Sequence, residues 1–385
     1  MTIKNGTTFV LRLGILLLCL IVPQLAAAQD PPKPADPAPD PDKVTLNFFR
    51  GTEIGGLVDS YYLYNSTKLN PIYHAFDSKY NSFDVSMAEL WLTKSPTTDS
   101  PIGYRIRTTF GSAADIMAAA SGQYAAEQPY KNIEEAFGSY LAPVGKGLQI
   151  DIGKFVTNAG AEVIEAKDDW NYTRSLLFQL AIPLYHAGIR LTYSPNDKVT
   201  LMGGVINGWN DVSDNNAGKS LMGSVTFKPT GSLSIIENYI GGPEQPNDNS
   251  DWRHLSDTVL SYTVNPRLSL MANYDYTTDT VQGQRVTTQG IAGYLKYQAN
   301  KTVAIIPRLE YFNDPDRAPW ATAQVQNLTD VTLTLEIKPA DNFIWRIEYR
   351  GDFSNKSPFL DDAGLPKKNQ QSIVFGFMFN FSSKM

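Results

Sequence analysis

The chain has 385 residues, 33 of them basic and 39 acidic, for a formal net charge of −6. Hydrophobic residues make up 42%, far less than a bundle of membrane helices would show, although aromatics are plentiful with 20 Tyr and 18 Phe. An acidic balance argues against a nucleic-acid partner, which calls for a basic surface.

The N-terminus reads as an export leader over residues 1–28. Lys4 and Arg12 supply the positive region, LGILLLCLIVPQL an apolar core, and Ala26, Ala27 and Ala28 a small-residue cleavage site. The core is too short to span a bilayer as a helix, and no later stretch approaches the roughly twenty apolar residues a span needs. Removing Lys4 and Arg12 leaves 31 basic against 39 acidic residues, a net of −8. The only cysteine, Cys19, goes with the leader and follows Leu18, where a lipoprotein signal has a small residue. The mature chain therefore carries no disulfide, thiolate metal site or thiol nucleophile.

Residues 29–43 contain DPPKPADPAPDPD, whose proline density favours an extended polyproline conformation and forbids regular pairing. This segment is expected to be a periplasmic spacer, with a transmembrane barrel domain following over 44–385. From Gly55 onward about sixteen segments alternate apolar and polar residues, the period of a strand with two different faces. Every second connection is compact: 95–101, 142–147, 194–198, 228–231, 265–267, 299–301 and 338–341, all rich in turn-forming Pro, Gly, Asn or Asp. The others are long and polar: 65–80, 111–130, 155–183, 208–219, 241–251, 278–287, 313–324 and 353–367. Short turns at one end, long loops at the other and an even strand count are the plan of an outer-membrane barrel. The predicted fold is therefore all-β: a transmembrane antiparallel β-barrel of about sixteen strands with a long, inward-folding third loop.

The strand faces support this plan. In VTLTLEIK, Val331, Leu333, Leu335 and Ile337 oppose Thr332, Thr334, Glu336 and Lys338; in FIWRIEYR, Trp345, Ile347 and Tyr349 oppose Arg346, Glu348 and Arg350. No segment offers a layer of helices to cover the apolar faces, so lipid must do so, leaving the charged faces to water in the lumen. In FDVSMAELWL the apolar residues change face around Met87 and Ala88, which predicts a β-bulge. Tyr61, Tyr62, Tyr64, Trp91, Tyr193, Tyr311 and Trp345 fit interfacial girdles. The last strand, SIVFGFMFNF, puts Ile373, Phe375, Phe377, Phe379 and Phe381 on one face, the kind of aromatic ending that the barrel assembly machinery reads. Four residues follow Phe381, a departure from a strictly terminal aromatic.

The longest loop, 155–183, lies between the alternating strands LQIDIGK and YHAGIRLTY. Connections of this length are usually functional or disordered, and its Trp170, Tyr172, Leu176, Leu177 and Phe178 predict order. The loop contributes Glu162, Glu165, Asp168 and Asp169 against Lys167 and Arg174, while the wall offers Arg105, Arg107, Arg190, Arg308, Arg346 and Arg350. An acidic loop facing arginines would set a field across the channel that orders water, favours dipolar solutes and penalises apolar ones. The constriction candidates are Arg105, Arg107, Glu162, Glu165, Asp168, Asp169, Arg174 and Arg190. Replacing Arg105 and Arg107 with Ala is expected to shift selectivity toward cations.

His74, His186 and His254 lie far apart, and none forms an i, i+2 or i, i+4 pair with another ligand type, so no metal site is expected. Serines lie near these histidines only by abundance, no Walker-type phosphate loop occurs, and neither an enzyme nor a cofactor is expected.

The stretches GGLVDSYYLYN (55–65), FDVSMAELWL (83–92), IGYRIRTTFG (102–111), IEEAFGSYLAP (133–143), IDIGKFVTNAGAEVIEAKDDWNYTRSLLF (150–178), HAGIRLTYSP (186–195) and VINGWND (205–211) resemble the OmpL-like β-barrel porin family. The pattern G-K-F-x-T-x-x-G-x-E followed by N-Y-x-R-S-x-L-F is its most specific part; from Gly218 onward only general barrel character is visible. The resemblance implies an outer-membrane location and a pore-type role, and lends neither a substrate nor assigned functional residues. The expected function is passive diffusion of small hydrophilic solutes or ions, with outer-membrane lipid as the surrounding partner. The alternative is a barrel plugged by its own loop, displaying 65–80 and an exposed alanine-rich helix in 113–128 as an adhesive surface. Trimerisation is common among sixteen-strand porins, but the sequence carries no mark of a subunit interface, so a homotrimer stays an open option.

Overall fold

Alternation sets the architecture: where outward residues are apolar and inward ones polar, the strand can separate lipid from the barrel interior. The computed structural model describes residues 49–322 and 324–384; the expected leader, with Cys19, and the spacer 29–43 lie outside the described residues. The chain divides at Arg50, and the unit Gly51–Met385 carries the barrel. Its first eight strands are β1 (Glu53–Asn65), β2 (Ser82–Lys94), β3 (Ile102–Phe110), β4 (Ile133–Ala142), β5 (Leu148–Val156), β6 (Tyr185–Asn196), β7 (Val199–Ile206) and β8 (Ser220–Thr230). The next seven are β9 (Leu233–Pro243), β10 (Trp252–Asn265), β11 (Leu268–Val281), β12 (Gln284–Gln298), β13 (Val303–Asp314), β14 (Gln326–Ala340) and β15 (Phe343–Ser354). The short β16 (Phe359–Leu360) and β17 (Pro366–Lys367) form a hairpin inside a loop, and β18 (Asn369–Lys384) closes the barrel. All sixteen barrel strands pair antiparallel with their chain neighbours, and β1 pairs with both β2 and β18, so no edge remains open.

The predicted faces hold. On β14, Val331, Leu333 and Leu335 are 41, 51 and 37% exposed, whereas Thr332, Thr334 and Glu336 are buried. The outward row of β18, from Ile373 to Phe381, is exposed in the same way. Such a belt suits hydrocarbon, where an Arg or Lys at mid-depth would cost about 2–4 kcal/mol.

The seven short turns fall where the sequence places them, and seven of the eight long connections are long. The exception is 278–287. There β11 and β12 run on to Val281 and Gln284, and only Gln282 and Gly283 turn the chain. Both have positive φ, 52° and 75°, the two-residue geometry that matches strand twist. The alternation was submerged in a polar, threonine-rich run.

The expected bulge is present one residue earlier than Met87: the β1–β2 register jumps from Asp59↔Met87 to Ser60↔Val85, leaving Ser86 unpaired. A second bulge, missed in the sequence, leaves Glu134 unpaired between Arg107↔Glu135 and Thr108↔Ile133. Two girdle assignments are corrected. Tyr61 and Trp91 point inward and are buried, Trp91 lying against Gly55, where a Cβ would overlap its ring. Tyr64, Tyr311 and Trp345 are exposed on the outer face as expected. The alanine-rich helix, Ser112–Ala119, is not an exposed display element either: Ala113, Ala114, Met117 and Ala118 are buried in the interior cluster around Phe76 and Phe178 or beside it.

Candidate functional site

The connection 157–184 meets inward-facing side chains around much of the circumference. At its start, Asn158 Nδ2 donates to Asn238 on β9 (2.8 Å), Gly160 N–H to Asp257 on β10 (3.0 Å) and Ala161 N–H to Asn273 on β11 (3.1 Å). Further on, Glu348 of β15 accepts from the Tyr172 and Thr173 amides at 2.6 and 2.9 Å, and Glu310 of β13 from the Leu176 amide at 2.8 Å. Tyr172 Oη reaches Asp59 on β1 at 2.7 Å. Glu165 pairs with Arg107 on β3.

Three wall arginines bind the loop through its carbonyls. Arg346 donates to Ala166 O, Asp169 O and Asn171 O at 2.5–2.8 Å, Arg308 to Thr173 O at 2.5 Å, and Arg350 to Arg174 O at 2.6 Å. All three are at most 1% exposed. Burying a guanidinium is tolerable only when its charge and donors are satisfied. Here Arg308 pairs with Glu162 (3.0 Å), Glu310 (2.8 Å) and Asp330 (3.3 Å), while Arg350 pairs with Asp330 and Asp352, both at 2.9 Å. Asp352 continues the chain to His74 (3.2 Å), which also meets Asp77 (2.5 Å), tying in the connection 66–81. Burial and the Arg350 charge push the His74 imidazole down, but Asp77 and Asp352 outweigh them and raise it above its ordinary value.

Apolar fit completes the seat. A Cβ on Gly376 would come within 2.3 Å of the Tyr172 ring, and one on Gly290 within 2.4 Å of Leu177, so only glycine lets the loop approach these walls. Leu176, Leu177, Phe178 and Leu180 form a buried cluster with Phe76, Phe155, Leu328 and Phe312. The expectation that the charged strand faces would meet lumen water is therefore corrected for β13 to β15: their charges meet the loop.

Of the eight constriction candidates, Arg105, Arg107, Glu162, Glu165 and Asp168 line one cavity of about 250 Å³ between β3 and the loop. Arg105 pairs with Glu135 and keeps its side chain 31% exposed. Arg107 is buried among Glu89, Glu134, Glu135 and Glu165 and lies over Trp91 at 5.2 Å. Glu89, Glu134 and Glu165 bring carboxylate oxygens within 4.8 Å of one another, but Arg107 already supplies the countercharge. Asp168 is half exposed and bonded to Lys167. Asp169 and Arg174 are instead turned into the loop itself, paired at 3.2 Å, with Arg174 over the Phe76 ring. Arg190 stands apart on β6, bound to Asp151 at 2.9 Å and stacked on Phe137 and Phe155. Sequence reasoning missed Glu89, Glu134 and Glu135; only the unpaired bulge residue Glu134 and the strand register gather them around Arg107.

On the wall facing this seat, beyond the buried Ile206 and Met222, the inward residues are mostly small: Gly188, Arg190 and Thr192 on β6, Thr200, Met202 and Gly204 on β7, Ser224 and Thr226 on β8. These eight are partly water-accessible. An aqueous wall opposite a packed one is the arrangement of a channel lined on one side. The family model described as "Putative beta-barrel porin-2, OmpL-like" matches residues 51–381. The chain belongs to this porin family. It is an outer-membrane β-barrel porin. Solved structures agree in fold. OmpT of Vibrio cholerae is 11% identical with a TM-score of 0.58, covering 86% of this chain and 97% of that one. An anion-selective porin from Comamonas acidovorans is 11% identical with a TM-score of 0.58, covering 86% and 99%. OmpF of Salmonella typhi, in complex with daunomycin, is 14% identical with a TM-score of 0.59, covering 87% and 99%. No curated protein sequence matches the chain.

Proposed function

We propose that this porin lets small hydrophilic solutes or ions diffuse passively through a channel narrowed by the connection 157–184, without an energy source. The loop occupies the lumen against β13 to β15, and solutes pass between it and the short side chains of β6 to β8, beside the cavity of Arg105, Glu162, Glu165 and Asp168. The carrying observation is the contrast between inward residues that are fully buried under the loop and inward residues that water reaches. Such a loop reduces the bore of a sixteen-strand barrel, which is otherwise wide enough for an aqueous channel. A homotrimer is the assembly proposed, by analogy with a trimer form of OmpT from Vibrio cholerae. The outward aromatic row of β18 is proposed as the feature read by the assembly machinery.

A specific observation favours a second reading. The interior holds an apolar cluster that unites the loop, the helix Ser112–Ala119 and Phe76, which is more packing than a water-filled channel needs. That suits a plugged barrel with a structural or adhesive role. Single-channel recording of the refolded mature protein decides between them. Steady ohmic steps establish diffusion; silence from a demonstrably folded barrel establishes the plug.

A further inference from the structure

At the long-loop end, a second cavity of about 540 Å³ opens between the connections β7–β8, β9–β10 and β13–β14 and the segment 178–184. Arg253, at the start of β10, stands at its wall with only 8% of its surface exposed. Its guanidinium lies over two indoles, Trp209 at 5.0 Å and Trp320 at 4.4 Å, brought in by two separate loops. Nε donates to Asp279 at 2.9 Å, which fixes the plane of the group. Among the described residues no acceptor takes a hydrogen bond from either terminal nitrogen. The indole N–H of Trp320 is buried without an acceptor.

Asp279 Oδ1 is also buried without a donor; what Arg253 offers to the cavity is its terminal N–H groups. Elsewhere on the cavity wall, Glu244 is already engaged, accepting from Ser220 Oγ (2.7 Å) and the Trp209 amide (2.8 Å). A guanidinium held rigid by Asp279 and two indoles, with terminal nitrogens that still reach water in the cavity, is a preformed fork for an acceptor that displaces that water. A guanidinium presents parallel N–H groups that match a planar carboxylate. Phe178, Leu180, Ile182 and Pro319 with the indoles form an apolar stretch of the wall that suits a flat apolar body, beside the polar Ser121, Gln179, Asn210 and Asn215.

We propose that this vestibule is a binding site for small monocarboxylates with an apolar body, gripped through Arg253 and Trp320 before they enter the channel. The inference rests on the diffusion reading and adds a solute class to it. A dianion such as phosphate fits less well, because Glu244 and Asp279 already offset the single arginine charge. Burial pushes Asp211 up to about 7, so this acidic group of the rim tolerates one added negative charge.

The test is calorimetric titration of the refolded, full-length mature protein with benzoate, benzyl alcohol and inorganic phosphate. Benzoate is expected to bind one site per chain, about tenfold or more tighter than benzyl alcohol, a difference typical of a charge-assisted bidentate pair. Arg253→Lys keeps the charge but loses the fork and should weaken benzoate about tenfold. Trp320→Phe keeps the ring, so folding is spared, and should weaken it severalfold. Equal affinity for benzyl alcohol, tighter binding of phosphate, no binding at all, or indifference to both substitutions would each overturn the assignment. Conductance of the same preparation separates the two readings. Steps without benzoate binding leave the porin and remove the site; binding without steps leaves the site on a closed barrel.

Discussion

Two arcs of one barrel treat the same inward positions in opposite ways. On β13 to β15 the inward row is charged and buried: Arg308, Glu310, Asp330, Arg346, Glu348 and Arg350 are each at most 2% exposed. On β6 to β8, away from the buried His186, Ile206 and Met222, it is mostly Gly, Thr and Ser with Arg190 and Met202, partly open to water. The charged arc therefore meets the loop rather than water. It replaces the hydrogen bonds that the backbone of 157–184 would otherwise make to water, which a long connection must find somewhere once it is enclosed. The plain arc leaves room. The lesson is that in a barrel the most polar wall can be the structural one, and the least conspicuous wall the one that water reaches.

The contrast predicts where substitutions act. The largest effect is expected at Arg346, which alone satisfies three loop carbonyls and pairs with Glu336 at 2.6 Å. Arg346→Ala should lower stability by about 3–5 kcal/mol, the usual consequence of breaking a buried pair, measured by urea unfolding in detergent. The surviving channels should conduct more and fluctuate, because the loop loses its anchor. Unchanged stability together with unchanged conductance would mean the loop is held by other means.

Next come the two faces compared directly. Gly376→Val drives a side chain into Tyr172 and should cost about 1–3 kcal/mol by overpacking, again with a noisier channel. Ser224→Arg on β8 should change stability by no more than about 0.5 kcal/mol while reducing conductance, since it occupies open space. If both variants behave alike, the distinction between seat and path fails.

Much of this was legible in the sequence. Alternation and loop lengths gave the closed sixteen-strand plan, and the aromatic content of 157–184 marked it as ordered. What stayed hidden was partnership. Arg308, Arg346 and Arg350 were visible as polar-face residues, but parity cannot tell whether such a residue meets water or a carbonyl. For the same reason Asp169 and Arg174 were grouped with the pore-lining charges, although they face each other inside the loop. Trp91 read as a girdle residue because the Ser86 bulge shifts its phase. Gly376 and Gly290 gave no local signal, since their role is to admit a ring from a distant segment.

A smaller effect is expected at the ion cluster that holds the connection 66–81. His74 is raised above its ordinary value by Asp77 and Asp352, so its contribution is present in full below the unfolded pKa of about 6.5. It is lost as pH rises through the folded value. Hydrogen exchange of residues 66–81 should therefore quicken as pH rises past neutrality, after correction for intrinsic rates. His74→Gln should flatten that profile; a wild-type profile already flat would remove the histidine from the argument.

The smallest structural effect and the most functional one meet at Arg105. The sequence treats Arg105 and Arg107 as a pair, but the structure separates them. Arg107 is enclosed by four glutamates and its loss would destabilise the wall, so any change in selectivity would be confounded. Arg105 is partly exposed and among the described residues pairs with Glu135 alone, a contact worth about 1 kcal/mol or less at that exposure. Arg105→Ala should leave unfolding nearly unchanged. It also removes one positive charge from a cavity that keeps Glu135, Glu162, Glu165 and Asp168. The local field then becomes more negative, and the reversal potential in a salt gradient should move toward cation preference, most clearly at low salt, where screening is weak. An unmoved reversal potential would place the permeation path away from this cavity, along the β6 to β8 arc alone.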